Sequence, residues 1–138
     1  MGWNTGDTHE VVVVDDLKRT QIVQYAGASG DYNPLHTDEV FASKVAGYPT
    51  VFAHGMLTMG MTGRAVTDLV GAENLLRYGG RFTSQVFPGD TLAAKVTVDS
   101  VEDGVVSFVV STVNQDGKEV FSGTASARVG SADGAAKA

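Results

Sequence analysis

The chain has 138 residues, 43% of them hydrophobic and 19% charged, the size and balance of one globular domain rather than a disordered segment. Acids outnumber bases 16 to 10, a net charge of −6 with no basic run, which excludes the clustered Lys/Arg surface of a nucleic-acid binder. There is no cysteine, so disulfides, thiolate metal sites and cysteine nucleophiles are excluded as well.

The opening residues hold no apolar stretch of signal-peptide length, and Gly6 breaks the myristoylation pattern. The aliphatic run at 11–14 is far shorter than a membrane span, so a soluble cytoplasmic protein is expected. Residues 10–14 read as a strand, Glu10 leading four consecutive valines. Asp15 and Asp16 then predict the cap of a helix through Ala26, with Leu17, Ile22, Val23 and Ala26 on its buried face. Gly27, Ser29 and Gly30 end that helix. Pro34 holds Asn33 extended, so 31–36 is a loop. A short helix is predicted over 38–46, stopped by Gly47.

Residues 55–70 are apolar around nearly the whole helical wheel, which predicts a helix buried on nearly every side, with Met56, Met59 and Met61 in the core. Gly55, Gly60 and Gly63 each cost about 1 kcal/mol relative to Ala in such a helix, and predict close approach by neighbouring elements. Strands follow at 75–86, 91–101, 105–113 and 119–129, read as an antiparallel meander. Leu92, Ala94, Val96 and Val98 alternate with polar or small residues, as do Phe121, Gly123, Ala125, Ala127 and Val129. Asp103-Gly104 and Asp116-Gly117 are hairpin turns, with Pro88-Gly89-Asp90 as the remaining connection. The expected class is α+β: a curved antiparallel sheet of about five strands around one long buried helix. The domain spans 1–129, and 130–138 is a small, polar tail expected to fray.

Chemistry concentrates in the loop Ser29-Gly30-Asp31-Tyr32-Asn33-Pro34-Leu35-His36. A carboxylate and an imidazole around a rigid Asn-Pro turn can hold one water between them, the arrangement general acid–base catalysis needs. Taken alone, both residues would more often be turn-forming surface groups. Downstream, Ala53-His54-Gly55-Met56 opens the apolar helix, whose first amides lack internal partners and favour negative charge. His54 reads either as a cap or packed core histidine or as part of the chemistry; His9, beside the valine strand, reads as surface.

These blocks, together with Phe82-Thr83-Ser84-Gln85-Val86-Phe87-Pro88-Gly89-Asp90, resemble the MaoC-like, (R)-specific enoyl-CoA hydratase family of hot-dog proteins. Within it the nearest likeness is to the catalytic subunit of mycobacterial-type (3R)-hydroxyacyl-ACP dehydratases. Gln85 departs from the proline of many relatives and bears only on strand geometry. The resemblance implies a single hot-dog fold and reversible addition of water to a trans-2-enoyl thioester, giving the (3R)-3-hydroxyacyl thioester. Asp31 and His36 would share the water and its protons as one coupled pair. Gly55 N–H would form the oxyanion hole, and Asn33, Ser29 and His54 would support the loop. Tyr48, Val51, Phe52 and Leu57 are candidates to line an acyl pocket.

No metal or redox cofactor is implied, because the thioester itself acidifies the α-carbon; CoA or phosphopantetheine enters only as part of the substrate. The net charge disfavours docking to an acidic carrier protein, though Lys44, Arg64, Arg77 or Arg81 could form a local basic patch; for Arg81 a structural ion pair is the simpler expectation. An exposed sheet edge implies a homodimer, or a heterodimer with another hot-dog subunit, and no nucleic-acid or membrane partner. The alternatives are a hot-dog thioesterase, which would not need this loop, and a catalytic subunit active only beside a non-catalytic partner.

Overall fold

The valine runs and the Asp-Gly turns build a five-stranded antiparallel sheet in the order β1-β3-β4-β5-β2. Its strands are β1 (Thr8–Val14), β2 (Leu75–Phe82), β3 (Leu92–Glu102), β4 (Val105–Val113) and β5 (Glu119–Arg128). The structure is a computed structural model that describes residues 3–129, so the tail expected at 130–138 lies outside the described residues. Asp103 and Gly104 turn β3 into β4 with φ of 52° and 76°, the left-handed pair that matches strand twist in a two-residue hairpin.

The alternation in β3 holds: Leu92, Ala94, Val96 and Val98 are buried while their neighbours are not. Ala94, Val96 and Val98 meet Val106, Phe108 and Val110 of β4 and Ala125 and Ala127 of β5. Helix α2 (Gly55–Val70) lies on this face and adds Ala65, Val66 and Val70 to the same cluster. A second cluster joins Val14, Leu17, Ile22, Ala53, Val86, Leu92, Val120 and Phe121 under α1 (Arg19–Ser29). Removing these side chains from water is the main favourable term holding the sheet to the helices.

Several expectations need correction. The strands after α2 are not a simple meander: β2 pairs with β5, not with β3. Thr83–Thr91 is a long connection rather than a tight hairpin, so it carries the chain from one side of the sheet toward the other. The first helix begins at Arg19, because Asp16 adopts φ 53° to turn the chain away from β1 and so cannot cap it. Lys18 is the N-cap instead, its N–H donating to Gln21 Oε1 at 3.0 Å, while Asp15 and the Asp16 amide are tied to the Thr91 hydroxyl. Val23 is 55% exposed, not buried.

Helix α2 is two-faced rather than enclosed. Thr58, Thr62, Ala65, Val66 and Val70 form its buried stripe, while Met56, Gly60, Arg64 and Asp68 are exposed. Met59 and Met61 pack at the edge of the core, but Met56 is 56% exposed and leaves it. Gly55 and Gly63 are points of close approach, since a Cβ would lie 2.8 Å from the Phe82 ring and 2.9 Å from Tyr78 respectively. Gly60 has open space around it. The predicted helix at 38–46 is present over 39–45, π-helical in its Phe41–Val45 stretch, and Gly47 follows it with φ 82°.

Candidate active site

The loop between α1 and the π-helical turn is built by its own side chains. Ser29 Oγ accepts from the Asp31 amide (3.2 Å), Asp31 Oδ1 from the Asn33 amide (3.2 Å) and Asn33 Oδ1 from the Leu35 amide (3.0 Å). Each residue satisfies the backbone two positions on, the local bonding in which Ser, Asp and Asn compete with helix. Gly30 enters the loop at φ 75° as the left-handed C-cap of α1. The His36 amide closes the turn on the Asn33 carbonyl at 3.0 Å.

This loop delivers Asp31, exposed at its start, and His36, 9% exposed at its end. Asp31, His36 and His54 present nitrogen or carboxylate atoms within 4.8 Å of one another. Two hydrogen bonds of about 2.8 Å through one water span such a gap. His36 Nδ1 lies 2.7 Å from the Phe52 carbonyl; a carbonyl only accepts, so Nδ1 carries a proton and, in the neutral ring, Nε2 keeps its lone pair. Phe52 sets its ring edge against His36 at 5.4 Å, with Tyr48 and Phe87 packed in turn against Phe52.

His54 is the N-cap of α2, 2% exposed, and its ring stacks on His36 with centroids 3.7 Å apart and planes 24° apart. Its Nε2 lies 3.0 Å from the Asp31 carbonyl oxygen, while its Nδ1 is buried without a partner among the described residues. A ligated ion must lie in the plane of each imidazole, and two stacked planes do not converge on one point beside both rings. The trio therefore suits proton transfer better than metal ligation. Gly55 follows His54 as the first residue of α2, its N–H free of the helical ladder.

Of the residues expected to line an acyl pocket, Tyr48, Phe52 and Leu57 are half-buried, whereas Val51 is 2% exposed and has no surface to offer a substrate. Arg81 is exposed and makes no ion pair among the described residues, contrary to the simpler expectation; Lys44, Arg64 and Arg77 are exposed too. Two residues near the site had been assigned no part in it. Tyr25 of α1 sets its ring against His54 at 4.9 Å, and Phe82 of β2 covers Gly55. Tyr25 and its partner His54 stand 29 positions apart, and Phe82, though it opens one of the resembling blocks, meets α2 only in the folded chain.

Outside the trio, Arg19 Nη2 reaches both Glu39 (3.0 Å) and Thr50 (2.8 Å) and ties α1 to the segment that carries Phe52. Hydrogen bonds from the Thr50 hydroxyl, then from Arg19, hold the Glu39 carboxyl below its ordinary range. A groove of about 390 Å³ between β1 and α2 is lined by Val11, Val12, Met61, Arg64, Ala65 and Asp68 among others. Its charged lining is an exposed Arg64–Asp68 pair at 3.7 Å, with no imidazole beside a carboxylate.

A sequence profile for the MaoC like domain matches residues 4–119. The chain belongs to the MaoC-like family. It is 36% identical over 116 residues to 3-hydroxyacyl-thioester dehydratase Y of Mycobacterium tuberculosis, covering 82% of this chain and 39% of that protein. It is 37% identical over 98 residues to the peroxisomal enoyl-CoA hydratase 2 of Arabidopsis thaliana, covering 69% of this chain and 30% of that one. This MaoC-like chain thus spans about a third of the length of each of these two curated relatives. Its fold is similar to R-hydratase PhaJ1 from Pseudomonas aeruginosa, with a TM-score of 0.78 at 26% identity over 90% of this chain and 80% of that one. The fold is therefore the hot dog expected above. Among the described residues no helix is long and apolar enough to cross a membrane.

Proposed function

We propose that this MaoC-like domain is an (R)-specific hydratase/dehydratase, interconverting trans-2-enoyl and (3R)-3-hydroxyacyl thioesters. The observation that carries the reading is the Asp31 carboxylate and His36 imidazole within 4.8 Å of one another, beside the amino end of α2. One water held between them loses a proton to the pair as its oxygen bonds C3 of the enoyl thioester. The pair returns a proton to C2 on the same face. Asp31 and His36 act as one coupled acid–base unit. Gly55 N–H donates to the thioester oxygen as it gains enolate charge, an interaction stronger in the transition state than in the ground state.

Ser29 and Asn33 support this chemistry through the loop turns they cap, and Tyr48, Phe52 and Leu57 offer apolar surface beside it. The thioester acidifies its own α-carbon, so no metal or redox group is required, and CoA or phosphopantetheine arrives as part of the substrate. We place the protein in the cytoplasm on the same reading.

The partner we propose is a second hot-dog unit, identical or not. Among the described residues no strand lies beside the outer edge of β2, and Leu76 and Phe82 on β2 are 42% and 48% exposed. Pairing there covers an apolar edge next to Gly55 and roofs an otherwise open site. The testing experiment is hydration of enoyl-CoA substrates of graded acyl length by the purified chain, followed as loss of conjugated enoyl-thioester absorbance. Turnover that yields the (3R) product is expected. Hydrolysis to free CoA would identify a thioesterase instead.

A further inference from the structure

We infer that His54 is a positioning residue, a neutral post with its proton on Nε2, which locks the Asp31 loop onto the amino end of α2. The inference rests on the acid–base assignment of Asp31 and His36 above. The Asp31 carbonyl oxygen lies 3.0 Å from His54 Nε2, and a carbonyl can only accept, so that nitrogen is the donor. Nδ1 of the same ring is the one buried side-chain polar atom without a partner among the described residues; a proton there would be a charged donor with no acceptor, so the geometry favours a bare Nδ1.

An unpaired buried acceptor is normally removed by turning the ring over. Here a flip would break the only hydrogen bond that joins the catalytic loop to α2 through this side chain. The ring has no freedom to compromise either, with His36 stacked on it at 3.7 Å and Tyr25 edge-on at 4.9 Å. His36 has the opposite tautomer, Nδ1–H on the Phe52 carbonyl and a bare Nε2. The two stacked imidazoles are thus chemically complementary: one keeps a basic nitrogen for the reaction, and the other spends its donor on the backbone of the partner carboxylate. His54 also precedes Gly55 directly, so one residue ties the water-holding side of the site to its oxyanion side.

Two measurements test this. Long-range ¹H–¹⁵N correlation of the labelled full chain reads which imidazole nitrogen bears the proton, and the chain has only three histidines. His54 is expected with Nε2 protonated and Nδ1 bare, and His36 with the reverse pattern. Nδ1–H on His54 would overturn the inference. The second measurement compares His54→Gln, whose side-chain amide can still donate to the Asp31 carbonyl, with His54→Phe, which keeps a ring but no donor. His54→Phe is expected to lose about 100-fold in kcat with KM within a few-fold, the scale of an ångström-level misplacement, and His54→Gln to recover most of it. Equal losses in the two folded variants would overturn the positioning role. The tautomer reading stands apart from turnover: Nε2–H on His54 supports the lock even in a chain inert toward enoyl thioesters, an outcome that counts against the hydratase reading alone.

Discussion

Thr62 Oγ1 and Thr112 Oγ1 lie 2.6 Å apart, and both residues are fully buried between α2 and β4. This hydroxyl pair crosses an otherwise apolar interface and fixes how the helix sits on the sheet. Thr62→Val strands the Thr112 hydroxyl in the core and is expected to cost about 1–3 kcal/mol. The double change Thr62→Val, Thr112→Val removes both partners and is expected to be nearly neutral. Urea denaturation of the two single variants and the double variant measures the coupling; additive losses would contradict it.

Burial pushes the Tyr78 phenol up to about 12, and its hydroxyl donates to the Met59 carbonyl at 2.6 Å. A phenol whose folded value lies above its unfolded value of about 10 favours the folded state below that value, and loses the advantage as pH rises toward the folded one. Thermal stability is therefore expected to fall between about pH 10 and 12 in the native chain. Tyr78→Phe should flatten that slope and cost about 1 kcal/mol at neutral pH from the lost hydrogen bond. Melting curves across that range for both proteins decide it.

At Gly55 a methyl group would meet the Phe82 ring at 2.8 Å. Gly55→Ala is expected to displace β2 or the start of α2, cost about 1–3 kcal/mol and lower turnover. Phe82→Ala in the same chain should restore stability by making room. If the double variant is no better than Gly55→Ala, the clash lies elsewhere.

Asp31→Asn and His36→Ala remove the two ends of the proposed water site. Each is expected to reduce hydration by at least about 100-fold. Asp31→Asn should leave the melting temperature close to native because Asp31 is exposed. His36→Ala also empties a buried ring site against His54 and leaves the Phe52 carbonyl unpaired, so it should lower the melting temperature without unfolding the chain. Full activity in both would end the assignment.

Charging the free edge of β2 tests the proposed partner. Leu76→Lys together with Phe82→Lys places like charges on an edge that otherwise invites pairing. Sedimentation is expected to show loss of the associated form, with hydration falling in parallel. A monomer that keeps full activity would refute the need for a second unit.

Much of this was legible before folding, and the residues show why. Leu92 through Val98 alternate because one face of β3 is packed and the other is not, a pattern written in the chain at period two. The loop from Ser29 to His36 was legible because each side chain bonds to backbone only two residues away. The partner of β2 was not legible: β3 and β5 alternate equally well, and only the Gly80–Gly123 pairing, where any Cβ would strike backbone at about 2.5 Å or less, decides between them. Nor was the exposed row of α2. Met56, Gly60, Arg64 and Asp68 recur every four residues, but the apolar excess elsewhere on the wheel hid the stripe. Tyr25 and Phe82 carry no local signal for their neighbours, because those contacts exist only once distant segments meet.

The order β1-β3-β4-β5-β2 has a consequence for synthesis. On a ribosome α2 and β2 emerge before β3, β4 and β5, yet β2 has no strand to hydrogen-bond with until β5, the last of the five to be made, is available. The Ser29–His36 loop and the helix it docks on are thus translated early, while the sheet behind them is completed late. A nascent chain stalled before residue 119 would present a glycine-rich unpaired strand and the apolar stripe of α2 to its surroundings, the kind of exposed surface that molecular chaperones bind.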